Sequence, residues 1–122
     1  MSIIPKFLMK RIYVSGSLRE TSEGIAFDLV NAIGPGILTR LNAIKLNELE
    51  FSPSEIMLMI GEKIFKGHEI SEANPAVFFH NQKITCFLLG GKLADGLHNI
   101  TVDILSREAG KVVVTIQDKY AS

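Results

Sequence analysis

Apolar and polar positions alternate through the last third of the chain. Between Lys83 and Asp118 the sequence KITCFLLGGKLADGLHNITVDILSREAGKVVVTIQD holds three such runs, separated by two turn signals. Ile84, Cys86 and Leu88 alternate with Thr85, Phe87 and Leu89. Ile100, Val102 and Ile104 alternate with Thr101 and Asp103, and Val112, Val114 and Ile116 with Val113, Thr115 and Gln117. A period of two sends successive side chains to opposite faces of a sheet, so each run predicts a strand whose first-named residues face a core.

The same reading extends toward the N-terminus. Leu8 to Leu18 predicts a first strand broken by Ser15-Gly16-Ser17, and Arg19 to Gly24 a polar turn. Ile25, Phe27 and Leu29 alternate with Ala26 and Asp28 as a second strand. Gly34-Pro35-Gly36 is the strongest local break, because neither residue type sustains a regular element. Ile37 to Leu46 mixes helical and strand spacing. A strand with a bulge near Asn42 accounts for it, the rival being a short helix over Leu38 to Leu46. Asn47-Glu48 and Ser52-Pro53-Ser54 interrupt the chain on either side of Leu49 to Phe51. Ile56, Leu58 and Ile60 alternate with Met57 and Met59, and Gly61-Glu62 predicts a hairpin returning along Lys63 to Lys66. His68 to Pro75 is a helical candidate, with Ser71 as cap and Pro75 as terminator. Ala76 to Phe79 is a short apolar run, and Asn81-Gln82 a turn.

Strand signals recurring roughly every 8–12 residues define an all-β chain. The expected fold is an antiparallel β-sandwich with at most one short helical turn; a jelly roll and a small barrel share the same local signals. No linker-like stretch divides the sequence, so residues 1–122 are read as a single β-sandwich domain.

Composition narrows the function. Apolar residues make up 47% of the chain, enough to fill one core, and the formal net charge is +0. A neutral surface offers no broad field for phosphate backbones or anionic lipid, which argues against nucleic-acid and membrane-surface binding. It also removes a barrier to self-association. Cys86 is the one cysteine, so no intrachain disulfide can form, and a reducing cytoplasm is expected. Lys6, Lys10 and Arg11 interrupt the apolar start, which lacks the continuous segment of a signal peptide.

Catalytic patterns are wanting. His68, His80 and His98 stand at no compact metal-ligand spacing, and Cys86 has no thiol partner for zinc. Cys86 falls on the inward side of its strand, where a cysteine behaves as a small hydrophobe. Gly90-Gly91-Lys92-Leu93-Ala94-Asp95-Gly96 lacks the phosphate-loop pattern and leads into a strand rather than a helix, so its glycines are read as turn residues. No catalytic residue, metal ligand or cofactor site is assigned. A polar pocket formed by His98, Arg107 and Glu108 would instead mark a small-molecule binding module.

The stronger signal is apolar residues on the outward faces. With Ile56, Leu58 and Ile60 inward, Met57 and Met59 point out; with Ile84, Cys86 and Leu88 inward, Phe87 and Leu89 point out; Val113 does the same in the last strand. The outer face of a monomeric antiparallel sheet is normally polar. Either the N-terminal segment covers these residues, or they form an interface with a second copy or another subunit, a use to which methionine is suited.

Gly24-Ile25-Ala26-Phe27-Asp28-Leu29-Val30-Asn31, the hairpin region Ile56 to Phe65, and above all Gly90-Gly91-Lys92-Leu93-Ala94-Asp95-Gly96-Leu97-His98-Asn99-Ile100-Thr101-Val102 resemble the small all-β family of C-glycoside deglycosidase β-subunits and their short archaeal relatives. The resemblance implies a β-sandwich accompanying a larger, metal-bearing catalytic subunit, and it carries over no catalytic residue. Without tryptophan, and with only Tyr13 and Tyr120 as tyrosines, the chain departs from a sugar-stacking surface. The expected function is therefore a non-catalytic accessory or scaffolding sandwich that oligomerises or pairs with a larger enzyme subunit. A component of a glycoside-cleaving enzyme and a small-molecule binding module are the alternatives.

Overall fold

Two antiparallel sheets pack face to face. The computed structural model describes residues 10–31 and 35–122, and among them no helix is long and apolar enough to cross a membrane. The strands are β1 (Arg19–Thr21), β2 (Gly24–Val30), β3 (Gly36–Leu46), β4 (Leu49–Phe51), β5 (Ile56–Ile60), β6 (Lys63–Lys66), β7 (Ala76–Phe78), β8 (Lys83–Leu89), β9 (Gly96–Ser106) and β10 (Gly110–Tyr120). One sheet has the order β1-β2-β8-β5-β6; the other runs β10-β9-β3-β4, with β7 paired to the start of β3. This is the all-β sandwich that the alternation predicts, with two open sheets rather than a closed barrel.

The core lies between the sheets. Phe27, Ile25, Ile56, Leu88 and Cys86 from one sheet meet Leu41, Ile44 and Ile100 from the other, and all are essentially inaccessible. Each of the larger side chains stabilises the fold by about 1.5–3 kcal/mol through removal of apolar surface from water. The inward set of β8 is the predicted Ile84, Cys86 and Leu88, and that of β10 is Val112, Val114 and Ile116.

β3 resolves the mixed spacing of Ile37 to Leu46. It is a strand whose register against β9 shifts between Leu38 and Arg40 and again between Leu41 and Ala43, so Asn42 occupies a bulge. The two shifts let Leu38, Leu41 and Ile44 all face the core although they are spaced like a helix. Side chains stabilise both irregularities: Thr39 Oγ1 donates to the Leu105 carbonyl at 3.2 Å, and Asn42 Nδ2 to Asp103 Oδ1 at 3.1 Å.

Three local expectations are corrected. Of the strand expected over Leu8 to Leu18, Leu8 and Met9 lie outside the described residues; Lys10 to Ile12 are helical, Tyr13 forms a single bridge with Leu29, and a turn follows at Ser15-Gly16. Gly16 takes φ +82°, which folds the chain back so that its own amide and that of Leu18 reach β10. Arg19 to Thr21, expected as a turn, is strand β1, hairpinned to β2 with Thr21 opposite Gly24. This short edge strand shows no alternation because none of its three residues is buried, so it has no core-facing side to repeat. The helical candidate His68 to Pro75 is a 3-10 turn at Gly67–Glu69, followed by a tight turn in which Ser71 Oγ accepts the Asn74 amide at 3.1 Å. A second 3-10 turn, Pro53–Glu55, begins at Ser52, whose amide donates to Glu55 Oε1 at 3.0 Å.

Candidate functional site

The segment from Tyr13 to Leu18 closes one open side of the sandwich, bridging β2 of one sheet and β10 of the other. Toward β2, the Val14 amide donates to the Asp28 carbonyl at 3.0 Å and the Asp28 amide to Ser17 Oγ at 2.9 Å. Toward β10, the buried Asp118 carboxylate accepts the Tyr13 hydroxyl at 2.5 Å, the Gly16 amide at 3.0 Å and the Leu18 amide at 3.3 Å. The Lys119 amide donates to the other oxygen, Oδ1, at 2.9 Å. These four donors make the Asp118 carboxylate the anchor that holds the segment to β10. Burial, and then the bond to Asp118, push the Tyr13 phenol up, so it stays protonated across the physiological range.

Asp28 carries a second buried carboxylate. Arg19 approaches it with both terminal nitrogens at 3.3 Å and also donates to the Ser17 carbonyl at 2.7 Å. Thr85 Oγ1 donates to Asp28 Oδ1 at 2.8 Å. Close by, burial and then the Asp28 charge raise the Cys86 thiol, which holds it protonated and unreactive at neutral pH.

His98 is a latch. Its Nε2 lies 2.6 Å from the Ala94 carbonyl, and its Nδ1 lies 2.9 Å from Asn47 Nδ2. A carbonyl can only accept, which assigns the proton to Nε2 and makes Nδ1 the acceptor from Asn47. The side chain thus ties the Gly90–Gly96 connection to the β3–β4 turn. Arg107 and Glu108 sit beyond the far end of β9, roughly 30 Å away at strand rise. There the Arg107 amide donates to the Ile37 carbonyl at 2.9 Å, and Glu108 Oε1 accepts the Ile37 amide at 3.1 Å. The structure does not bring the expected polar pocket together: a whole strand separates its members. His68 and His80 are exposed, and no group of three His, Cys, Asp or Glu among the described residues could hold a metal ion.

The apolar outward residues divide between the sheets. Met57 stands opposite Phe87, and Met59 opposite Ile64, on the outer face of the β1-β2-β8-β5-β6 sheet; Leu89 lies on that face too. Met57, Phe87 and Leu89 are half-buried, whereas Met59 is 37% exposed and Ile64 63%. Val113 belongs to the outer face of the other sheet, opposite Asp103, so one surface cannot contain all five expected interface residues. The expected cover by the N-terminal segment involves residues outside those described.

A cavity of about 870 Å³ opens beside β10, lined by Lys10, Tyr13, Ser15, Asn99, Thr115, Ile116 and Gln117. It presents one ammonium group, several neutral polar groups and one aliphatic wall.

Sequence reasoning passed over Tyr13, Asp28 and Asp118. A signal for Asp118 was present: it continues the inward series Val112, Val114, Ile116, so the alternation itself places a carboxylate inside. Asp28 likewise interrupts the apolar run Ile25 to Val30.

A family described as "Hydroxymethylglutaryl-CoA reductase, N-terminal domain" matches residues 8–121. No curated protein matches the chain. The family match corrects the resemblance to C-glycoside deglycosidase β-subunits. The turn-and-strand pattern that carried it is accounted for by a fold requirement, since His98 holds down a glycine-rich connection.

Proposed function

Because the chain belongs to the hydroxymethylglutaryl-CoA reductase N-terminal domain family, we propose that it is a non-catalytic accessory domain that docks on the catalytic part of such a reductase. The match over residues 8–121 carries the reading, since it spans nearly the whole sandwich. Two features support it. The buried carboxylates, the buried thiol and His98 are each committed to internal hydrogen bonds or to the core. The Met57, Met59, Ile64 and Phe87 face supplies a semi-exposed apolar surface of the kind that marks protein contacts. Methionine adapts such a surface to a partner without demanding a fixed shape.

The test mixes the purified chain with the catalytic part of the reductase from the same source. The chain alone should give no turnover of hydroxymethylglutaryl-CoA with a nicotinamide hydride donor, and the two polypeptides should co-elute on size exclusion. Met59→Glu, which places a charge in the contact, should weaken association by about tenfold or more. Turnover by the chain alone, or passage through the column without association, would refute the proposal.

A further inference from the structure

β10 is an 11-residue strand at the edge of its sheet, and β9 is its only strand neighbour among the described residues. The direction of its backbone groups follows from the hydrogen bonds of β9. The Asn47 amide donates to the Asn99 carbonyl at 2.7 Å, and the Asn99 amide donates to Asn47 Oδ1 at 2.9 Å. Both main-chain groups of Asn99 therefore point toward β3 and away from β10. In an antiparallel ladder hydrogen-bonded and non-bonded pairs alternate. The Asn99–Gln117 pair is thus non-bonded, and so are Thr101–Thr115, Asp103–Val113 and Leu105–Lys111. The amides and carbonyls of Lys111, Val113, Thr115 and Gln117 consequently face outward from the sheet edge. Lys119 obeys the same parity, and its amide turns to Asp118 Oδ1 instead of to β9.

Lysines near both ends of this strand are a common guard against edge pairing, but two other usual guards are absent from it. It has no proline, and its pairing with β9 is unbroken from Gly110 to Tyr120. Its β-branched residues Val112, Val113, Val114, Thr115 and Ile116 favour extended backbone. The 870 Å³ cavity lies directly against its Thr115–Gln117 portion. Lys111 and Lys119 mark its two ends, and Lys10 stands at the cavity. Lys111 has one partner, Asp103 at 3.8 Å, and neither Lys10 nor Lys119 has an ion-pair partner among the described residues.

We propose that β10 and the adjoining cavity form a docking site for an extended, acidic polypeptide segment of another protein, added antiparallel as a further strand. Outward amides and carbonyls supply the main-chain bonds; the cavity accepts alternate side chains against Tyr13 and Ile116; the lysines select carboxylates. A second copy is a poorer occupant. Symmetric antiparallel pairing centred on Thr115 would set Lys111 opposite Lys119 of the other copy, and like charges directly opposite destabilise a pair. The inference stands apart from the reductase reading, because it concerns a different face and any chain with such a segment would satisfy it.

The test titrates the full chain, labelled with nitrogen-15, with a short blocked peptide alternating glutamate and valine, and with its lysine-for-glutamate counterpart. The glutamate peptide should shift the amides of Lys111, Val113, Thr115 and Gln117 and slow their exchange with solvent. The lysine peptide should bind at least about tenfold more weakly. Thr115→Pro deletes one outward amide without touching the β9 ladder, so it should fold and lose binding. The double change Lys10→Glu with Lys119→Glu, which preserves every main-chain group, should invert the peptide preference. The proposal falls if the shifted amides map to Met57 and Phe87, if both peptides bind alike, or if the β10 amides are protected by self-association without peptide.

Discussion

Asp118 offers the sharpest test of how the sandwich is closed. The residue is 8% exposed, and its carboxylate gathers Tyr13, Gly16 and Leu18, which lie 100–105 residues away in sequence. Asp118→Ala removes an acceptor shared by four donors, including Lys119. Hydrogen bonds to charged groups contribute roughly 1.5–3 kcal/mol each, but the donors become partly hydrated once the segment loosens. A loss of about 2–4 kcal/mol is expected, several such bonds being lost together and partly offset by hydration of the freed donors. Tyr13→Phe removes only the hydroxyl, keeps the ring packed 6.1 Å from Phe27, and should cost about 1–2 kcal/mol. The two changes share one bond, so the double variant should be less destabilised than their sum, by roughly 1 kcal/mol. Urea unfolding followed by circular dichroism measures all three. Purely additive losses, or an Asp118→Ala loss below about 1 kcal/mol, would show that the closing segment is held by something other than this carboxylate.

Stability should also fall in alkali. Tyr13 and Cys86 are both raised in the folded state above ordinary values of 10.0 and 9.0. A raised group contributes fully below its unfolded value, and its contribution is lost as pH climbs toward the folded one, because the unfolded chain releases the proton first. Denaturation midpoints should therefore decline from about pH 9 upward, with Tyr13→Phe flattening the portion above about pH 10; an unchanged slope in that variant would contradict the buried phenol. Gly24→Ala should destabilise by at least about 2 kcal/mol, because a β-carbon there would collide with the Leu88 carbonyl oxygen at φ +142°, and a melting temperature equal to the parent's would show the backbone can yield. Val102, 3% exposed, faces the core from β9, so Val102→Asp should prevent folding; a soluble variant with a cooperative unfolding transition would reverse the assigned facing.

The strands were legible because alternation is a property of each run alone. β8, β9 and β10 state their inner faces residue by residue, the Gly61-Glu62 hairpin is written in adjacent positions, and even the bulge at Asn42 shows as a break in the period. The polar edge β1 left no such trace, since none of its three residues is buried and it presents no apolar face to repeat.

What the sequence alone determined is which residues are extended and which side of each strand is apolar, because backbone geometry fixes that within a few residues. Only the tertiary structure decided which strands are neighbours. It paired β2 with β8 and β8 with β5, set Val113 on the sheet opposite Met59, and separated His98 from Arg107 and Glu108 by the length of β9. It also brought Tyr13 to Asp118 across 105 residues. These outcomes depend on how two apolar faces close over one core, a long-range condition that no local period encodes.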